Sequence, residues 1–225
     1  MHKTCAIHQP NFMPWLGYFY KIATSDVFVI LDTVDIVTGT AKAITNRTKI
    51  KSTTDTQWLT VPIQKSESKR ICDIAMVDNN WRTKILKTVQ CNYAKSPHFE
   101  SFFPILERLI GFESANLAEY NTHLIKEICL ILDIHTEIVM ASKLNIETED
   151  RNQRIIDICK TLNCDTYYSG KGGTKYHDIN LFEKSNIAIK TTNFIHPIYQ
   201  QQHGVFIEGL SVIDFLFNKQ DTQWK

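Results

Sequence analysis

Hydrophobic and polar positions alternate in blocks along the chain, and the blocks predict alternating strands and helices. Thr4 to Ile7 is an apolar strand that stops at a polar turn, His8-Gln9-Pro10-Asn11. A helix is predicted over 14–23, opening on Pro14-Trp15-x-Gly17-Tyr18-Phe19, and a second apolar strand runs from Val27 to Leu31 and ends in Asp32. Residues 33–56 are rich in Thr, Lys and Ser with little periodicity and read as a long loop. Trp58 to Ile63 is β-prone, and 71–77 is a further candidate strand. From Trp81 to Leu132 the spacing becomes helical, with Ile85, Val89, Ile105, Leu109, Leu124, Ile128 and Leu132 at three- and four-residue steps. Two or three helices are expected there, broken near Pro97, Pro104 and Gly111. The remainder returns to alternation: strand Thr136 to Met140, helix 150–163, strand Asp165 to Tyr168, a Gly-rich turn, strand Ile187 to Thr191 and a last helix over 209–217.

This order predicts an α/β fold with a mainly parallel, Rossmann-like sheet flanked by helices, as one domain over 1–225 with a helical lobe at about 81–132. Ligands of such sheets sit beyond the carboxyl ends of the strands, where backbone N–H groups and helix dipoles favour anions. The turn after the first strand and the Gly-rich turn both follow strands, so they are expected to converge on one polar pocket.

Composition narrows the classes of function. With 225 residues and 43% hydrophobic positions, the chain can bury a sizeable core. Lys plus Arg is 25 against 24 for Asp plus Glu, a net charge of +1, which gives no footing for a nucleic-acid or membrane-surface partner. No apolar run approaches the roughly 18 residues of a membrane span, and the start lacks the pattern of a secretory signal. Cys5, Cys72, Cys91, Cys129, Cys159 and Cys164 are scattered, with no C-x-x-C pair and no zinc spacing. They read as reduced thiols of a cytoplasmic protein, and no metal site is expected from them.

Candidate chemistry concentrates at the turns. His8 at a strand end suits acid/base work or phosphate binding, against the plainer role of a turn filler. Lys21 and Asp32 complete the candidate catalytic set. Asp26, Asp32 and Asp35 could together hold Mg²⁺, although Asp26 reads better as a cap. Gln9, Asn11, Trp15, Gly17 and Tyr18 surround His8 as candidate substrate contacts. Asn46-Arg47-x-Lys49-x-Lys51 would turn its cations to one side if extended, which suits phosphate or carboxylate oxygens, or else forms a solvated basic surface. Ser169-Gly170-Lys171-Gly172-Gly173, with Tyr176 beyond, has the composition of an anion nest in which glycines adopt positive φ. It is neither a Walker A loop nor a G-x-G-x-x-G fingerprint. His196-Pro197-x-Tyr199-x-Gln201 offers uncharged hydrogen-bonding groups suited to sugar hydroxyls.

Taken in order, these segments resemble the WbqC-like family. The likeness rests on the run His8 to Ile22, on Asp26 to Asp32, Asn46-Arg47, Trp58 to Pro62 and Tyr168-Ser169-Gly170. It extends to His196-Pro197-x-Tyr199-x-Gln201 and Leu210-Ser211-x-x-Asp214-x-Leu216-Phe217-Asn218. The sequence departs near Asp35, where a Gln-Phe-like pair is expected. The resemblance implies a place in bacterial gene clusters for O-antigen and other surface polysaccharides, and a proposed transfer of glycine to an amino sugar. The opening is also similar in layout to nucleotidyltransferases and pantothenate synthetase. Trp15-Leu16-Gly17-Tyr18 stands where those have H-x-G-H, so Gly17 matches and both histidines are missing.

The leading expectation is a cytoplasmic acyl or aminoacyl transferase acting on a nucleotide-linked amino sugar. His8 would be its acid/base group, Arg47, Lys49 and Lys171 would neutralise phosphates, and Tyr199 and Gln201 would contact sugar or acyl groups. Glycine would arrive as an adenylate made with ATP and Mg²⁺ or from a separate carrier. The alternative is a non-catalytic nucleotide- or sugar-binding protein of the same pathway. Nucleic-acid binding has only the basic segment 42–51 in its favour.

Overall fold

The computed structural model of the protein describes residues 2–40, 43–77, 79–173 and 176–221. The chain forms β1 (Thr4–His8), α1 (Leu16–Ala23), β2 (Val27–Ile30), β3 (Arg47–Lys51) and β4 (Thr56–Thr60). It continues through α2 (Trp81–Tyr93), α3 (Phe99–Ile110), α4 (Leu117–Ile131), β5 (Glu137–Met140) and α5 (Arg151–Thr161). It closes with β6 (Thr166–Ser169), α6 (Ile179–Lys184), β7 (Ala188–Thr191) and α7 (Val212–Asn218).

Five strands make one parallel sheet in the order β5-β2-β1-β6-β7. The chain winds outward from β1 through β2 to β5, then restarts beside β1 with β6 and β7. The winding direction therefore reverses between β1 and β6, and Ala6 lies opposite Tyr168 in that pair. Alternate residues of the central strands enter different cores, as a pleat with period two requires. Cys5, Ile7, Val27 and Val29 face a core with Ile155, Ile156, Cys159 and Phe182 of α5 and α6. Ala6, Phe28 and Ile30 face the larger core, which α1, α2, α3, α4 and α7 complete.

The alternation expected from sequence is present, with differences that have physical causes. The loop expected over 33–56 contains β3, paired antiparallel to β4 with Thr48 opposite Leu59 and Ile50 opposite Gln57. Only Thr48, Ile50 and Lys51 of β3 are buried, too few for a periodic signal. The segment 71–77 is a 3₁₀ turn (Ile71–Asp73) followed by single bridges, Ala75 to Asn116 and Ile63 to Met76. Pro104 does not break α3, because Phe102, Leu106, Leu109 and Ile110 form a buried stripe whose packing outweighs one lost backbone hydrogen bond. The last helix starts at Val212, where the Ser211 hydroxyl accepts from the Ile213 N–H. Asp26 caps no helix; its carboxylate accepts from the Thr4 N–H at 2.7 Å and ties the start of β1 to that of β2. No helix among the described residues is long and apolar enough to cross a membrane.

Candidate functional site

β1 and β6 end side by side at His8 and Ser169, at the point where the winding reverses. A cavity of about 520 Å³ opens there, between the turn after β1 and the Gly-rich turn after β6. This is where an open parallel sheet offers a crevice that its own helices do not fill.

The turn after β1 is held rigid by distant segments. Met13 has φ 42°, a strained value for a side-chain-bearing residue. Its carbonyl accepts from the hydroxyls of Thr48 at 3.0 Å and Ser211 at 2.7 Å. The Phe12 N–H donates to the Thr45 carbonyl, and Asn121 Nδ2 donates to the carbonyls of Pro10 and Thr45 at 2.8 and 2.7 Å. The Tyr18 hydroxyl donates to the Gln9 carbonyl at 2.9 Å. Gly17 admits the aromatic wall: a Cβ there would lie 2.8 Å from both the Phe194 ring and Trp15 Nε1.

His8 and Lys21 line this cavity together. The His8 ring meets Tyr18 and Trp15 edge-on at 4.9 and 5.7 Å. Burial, and then the charge of Lys21, push its pKa down to about 3. The imidazole is neutral at physiological pH, so a proton-shuttling role near neutrality does not fit its surroundings. Lys21 is buried, and Nζ donates to the Ile7 carbonyl at 2.8 Å. Among the described residues no carboxylate stands within ion-pair distance of it. Burial brings its pKa down to about 8.

Ser169, expected from the sequence, stands on the far wall, and behind it is a partner that the sequence reading missed, His177. Ser169 Oγ lies 2.9 Å from His177 Nε2, and the Tyr167 ring meets the His177 ring edge-on at 5.4 Å. Burial, then the charges of Arg151 and Lys21, hold His177 below the ordinary imidazole pKa. Gly173 makes the approach possible, because a Cβ there would lie 2.8 Å from Ser169 Oγ and 3.3 Å from His177 Nε2. Gly170 and Gly172 leave open space in front of them. None of these three glycines has positive φ, so the turn is an open backbone lip and not the nest expected from its composition. Lys171, Tyr176, Thr192 and Arg151 complete the rim, with the Arg151 guanidinium 5.3 Å from the Tyr176 ring centre. Arg151 was legible as the residue after the helix cap Asp150, at the start of α5. His177 was legible as the first imidazole after the Gly-rich turn.

Other expected residues lie elsewhere. Asp32 is fully buried, and its carboxylate accepts from Ser142 N–H at 2.9 Å and Ser142 Oγ at 2.6 Å, so it neither lines the cavity nor offers oxygens to Mg²⁺. Gln9 lines an adjoining hollow. Asn46 donates to the Val61 carbonyl at 2.9 Å. Arg47 and Lys49 share one face of β3 over the Trp58 ring and, with Asn11, belong to a separate hollow. Lys51 is buried, 3.3 Å from Gln201 Oε1, so only two of the three cations point outward. The Tyr199 cluster is part of the scaffold. Tyr93, Tyr199 and Gln201 donate to the Asp214 carboxylate at 2.8, 2.7 and 2.8 Å. Burial nevertheless raises the Asp214 pKa. His196 packs edge-on against Phe194 and Phe206, behind the cavity wall.

The sequence model described as the WbqC-like protein family matches residues 9–225. The chain belongs to that family. It is 29% identical over 221 residues to an uncharacterized protein of Mycobacterium tuberculosis, covering 96% of this chain and 94% of that one. No solved structure matches the chain. In this WbqC-like protein the run from His8 to Lys21 builds one wall of the main cavity, whereas Tyr199, Gln201, Ser211 and Asp214 fix the frame that holds the wall.

Proposed function

We propose that this WbqC-like protein is a transferase joining an acyl or aminoacyl group to the amine of a nucleotide-linked amino sugar, in the assembly of a bacterial surface polysaccharide. Family membership supports the pathway. The observation that carries the chemistry is a cavity at the reversal point of the sheet lined by Lys21, whose pKa is lowered, and by Ser169, whose hydroxyl lies 2.9 Å from His177, which stands behind the lining with its pKa also lowered.

Amide formation needs an unprotonated amine and stabilisation of a carbonyl oxygen as it becomes negative. His177 is uncharged near neutral pH and takes the proton of the attacking amine through the Ser169 hydroxyl, 2.9 Å away. Lys21, cationic in most molecules at about pH 7 with its pKa near 8, opposes the developing oxyanion. Neutral His8 hydrogen-bonds and orients. Arg151 and Lys171 stand at the rim for the phosphates, and Trp15, Tyr176 and Phe194 offer flat faces to sugar or base. As the amide bond forms, the bond from the acyl carbon to its activating group breaks; glycine is the simplest aminoacyl group to test, activated by ATP with Mg²⁺ as an adenylate that releases pyrophosphate when made and AMP on transfer.

The test is to incubate purified protein with nucleotide-linked amino sugars, glycine, ATP and Mg²⁺. A gain in sugar-nucleotide mass matching one acyl group, with release of pyrophosphate or another leaving group, supports the reading. Absence of both across a panel of amino sugars and donors contradicts it. A second reading, a non-catalytic binder, draws on the low pKa of His8 and on Trp15 and Tyr18 at the places of the two missing histidines. His177→Ala separates them: retained sugar-nucleotide binding with lost turnover favours the transferase, and unchanged pathway output favours the binder.

A further inference from the structure

Trp15 has a second face. Beyond it lies a smaller hollow of about 240 Å³, which shares Trp15 with the main cavity and is otherwise lined by different residues. Asn11 belongs to its lining and is 1% exposed, yet neither Nδ2 nor Oδ1 of its amide has a hydrogen-bond partner among the described residues. Buried amides are nearly always paired. At the mouth, Arg47 and Lys49 stand over the Trp58 ring at 4.1 and 5.1 Å from its centre. Arg47 Nε donates to the Ala43 carbonyl at 2.7 Å and a terminal nitrogen donates to that of Thr40, which fixes the plane of the guanidinium. No carboxylate among the described residues pairs with either cation.

We propose that this hollow is a binding subsite for a small anion, a carboxylate or a phosphate group, distinct from the main cavity. Arg47 and Lys49 oppose its charge, and Asn11 Nδ2 gives a hydrogen bond to an oxygen of the anion, while Oδ1 accepts from the anion only where it carries a proton, as hydrogen phosphate does. The volume equals about eight waters at roughly 30 Å³ each, which fits a group of a few heavy atoms and is below the range of whole-nucleotide pockets. The proposal gives a purpose to the basic motif on β3, which the main cavity leaves unused, and it stands without the transferase reading.

The indole N–H of Trp58 reports on the subsite. Proton–nitrogen correlation spectra of nitrogen-labelled full-length protein are recorded, with the Trp58 signal assigned from Trp58→Phe. Inorganic phosphate and acetate are added separately, against chloride at equal ionic strength. The expected result is a saturable movement of the Trp58 signal with at least one anion. Phosphate alone identifies a phosphate subsite and acetate alone a carboxylate subsite. Lys49→Ala, an exposed change that leaves the core intact, weakens the apparent affinity by about tenfold or more, as loss of a charge-assisted contact requires. Asn11→Ser does the same where it folds. No saturable movement with either anion up to tens of millimolar, or equal affinities in Lys49→Ala and wild type, overturns the proposal. No acceptor sugar or turnover enters the measurement, so its failure leaves the transferase reading standing.

Discussion

Among single residues, basic side chains sit where their charge is costly. Lys21 has a folded pKa of about 8 against 10.5 in the unfolded chain, so the unfolded chain holds more protons between those values. Its contribution to stability therefore rises with pH across that window, by about 3 kcal/mol. Lys21→Met removes that rise. Denaturant midpoints of mutant and wild type should show the advantage of Lys21→Met shrinking between pH 8 and 10.5, whereas a constant difference would place the ammonium in water. The same groups shape the rate. Turnover rises with pH as His177 loses its proton, below the ordinary imidazole value of 6.5, and falls near 8 as Lys21 loses its own. Lys21→Arg keeps the charge and should abolish the alkaline fall while leaving the acid limb. Tyr199 belongs to a different part of the molecule. Tyr199→Phe deprives buried Asp214 of one of three donors, so stability should drop by about 1–3 kcal/mol in urea titration with turnover unchanged. A lowered kcat at unchanged stability would return Tyr199 to the substrate.

Elements with a strong period were legible in the sequence, and those made by pairing were not. β1, β2, α5 and β6 lie where apolar runs or helical spacing put them, because β1 and β2 are buried on both faces and α5 buries one stripe. β3 could not be seen, since polar Arg47, Lys49 and Lys51 alternate with only Thr48 and Ile50 and the strand exists through its partner β4. Residues 71–77 misled because an apolar run is compatible with a 3₁₀ turn as well as with a strand. Glycine positions were flagged for the wrong reason. None of those at 170, 172 and 173 has positive φ; crowding requires glycine at 173, whereas a Cβ at 170 or 172 would meet nothing within 4 Å. Gly173→Ala tests that reason. Its Cβ would force Ser169 and His177 apart, and kcat should fall by about tenfold or more if their contact moves the proton. An unaffected kcat would make the pair a turn-stabilising contact only.

At the scale of the molecule, the decisive feature is the order β5-β2-β1-β6-β7, which reverses direction between β1 and β6. That reversal brings His8 and Ser169 together from opposite ends of the chain. The alternation of strands and helices implied the meeting; it could not say which side chains would point inward. Asp32, Arg47, Lys49 and Gln201 were plausible by type and are directed elsewhere: Asp32 by its bonds to Ser142, Gln201 by its bond to Asp214, and Arg47 and Lys49 by their place on β3 over the Trp58 ring. Arg151, Tyr167 and Phe194 enter because the carboxyl edge of the sheet collects them, and His177 stands behind Ser169. The most direct test of the central claim is an experimental structure of the protein with a nucleotide-linked amino sugar. The ligand is expected between residues 8–21 and 169–176, its amine within hydrogen-bonding reach of Ser169 or His177. A ligand seated instead in the hollow between Thr33 and Arg154, or a cavity still empty at saturating ligand, would contradict it.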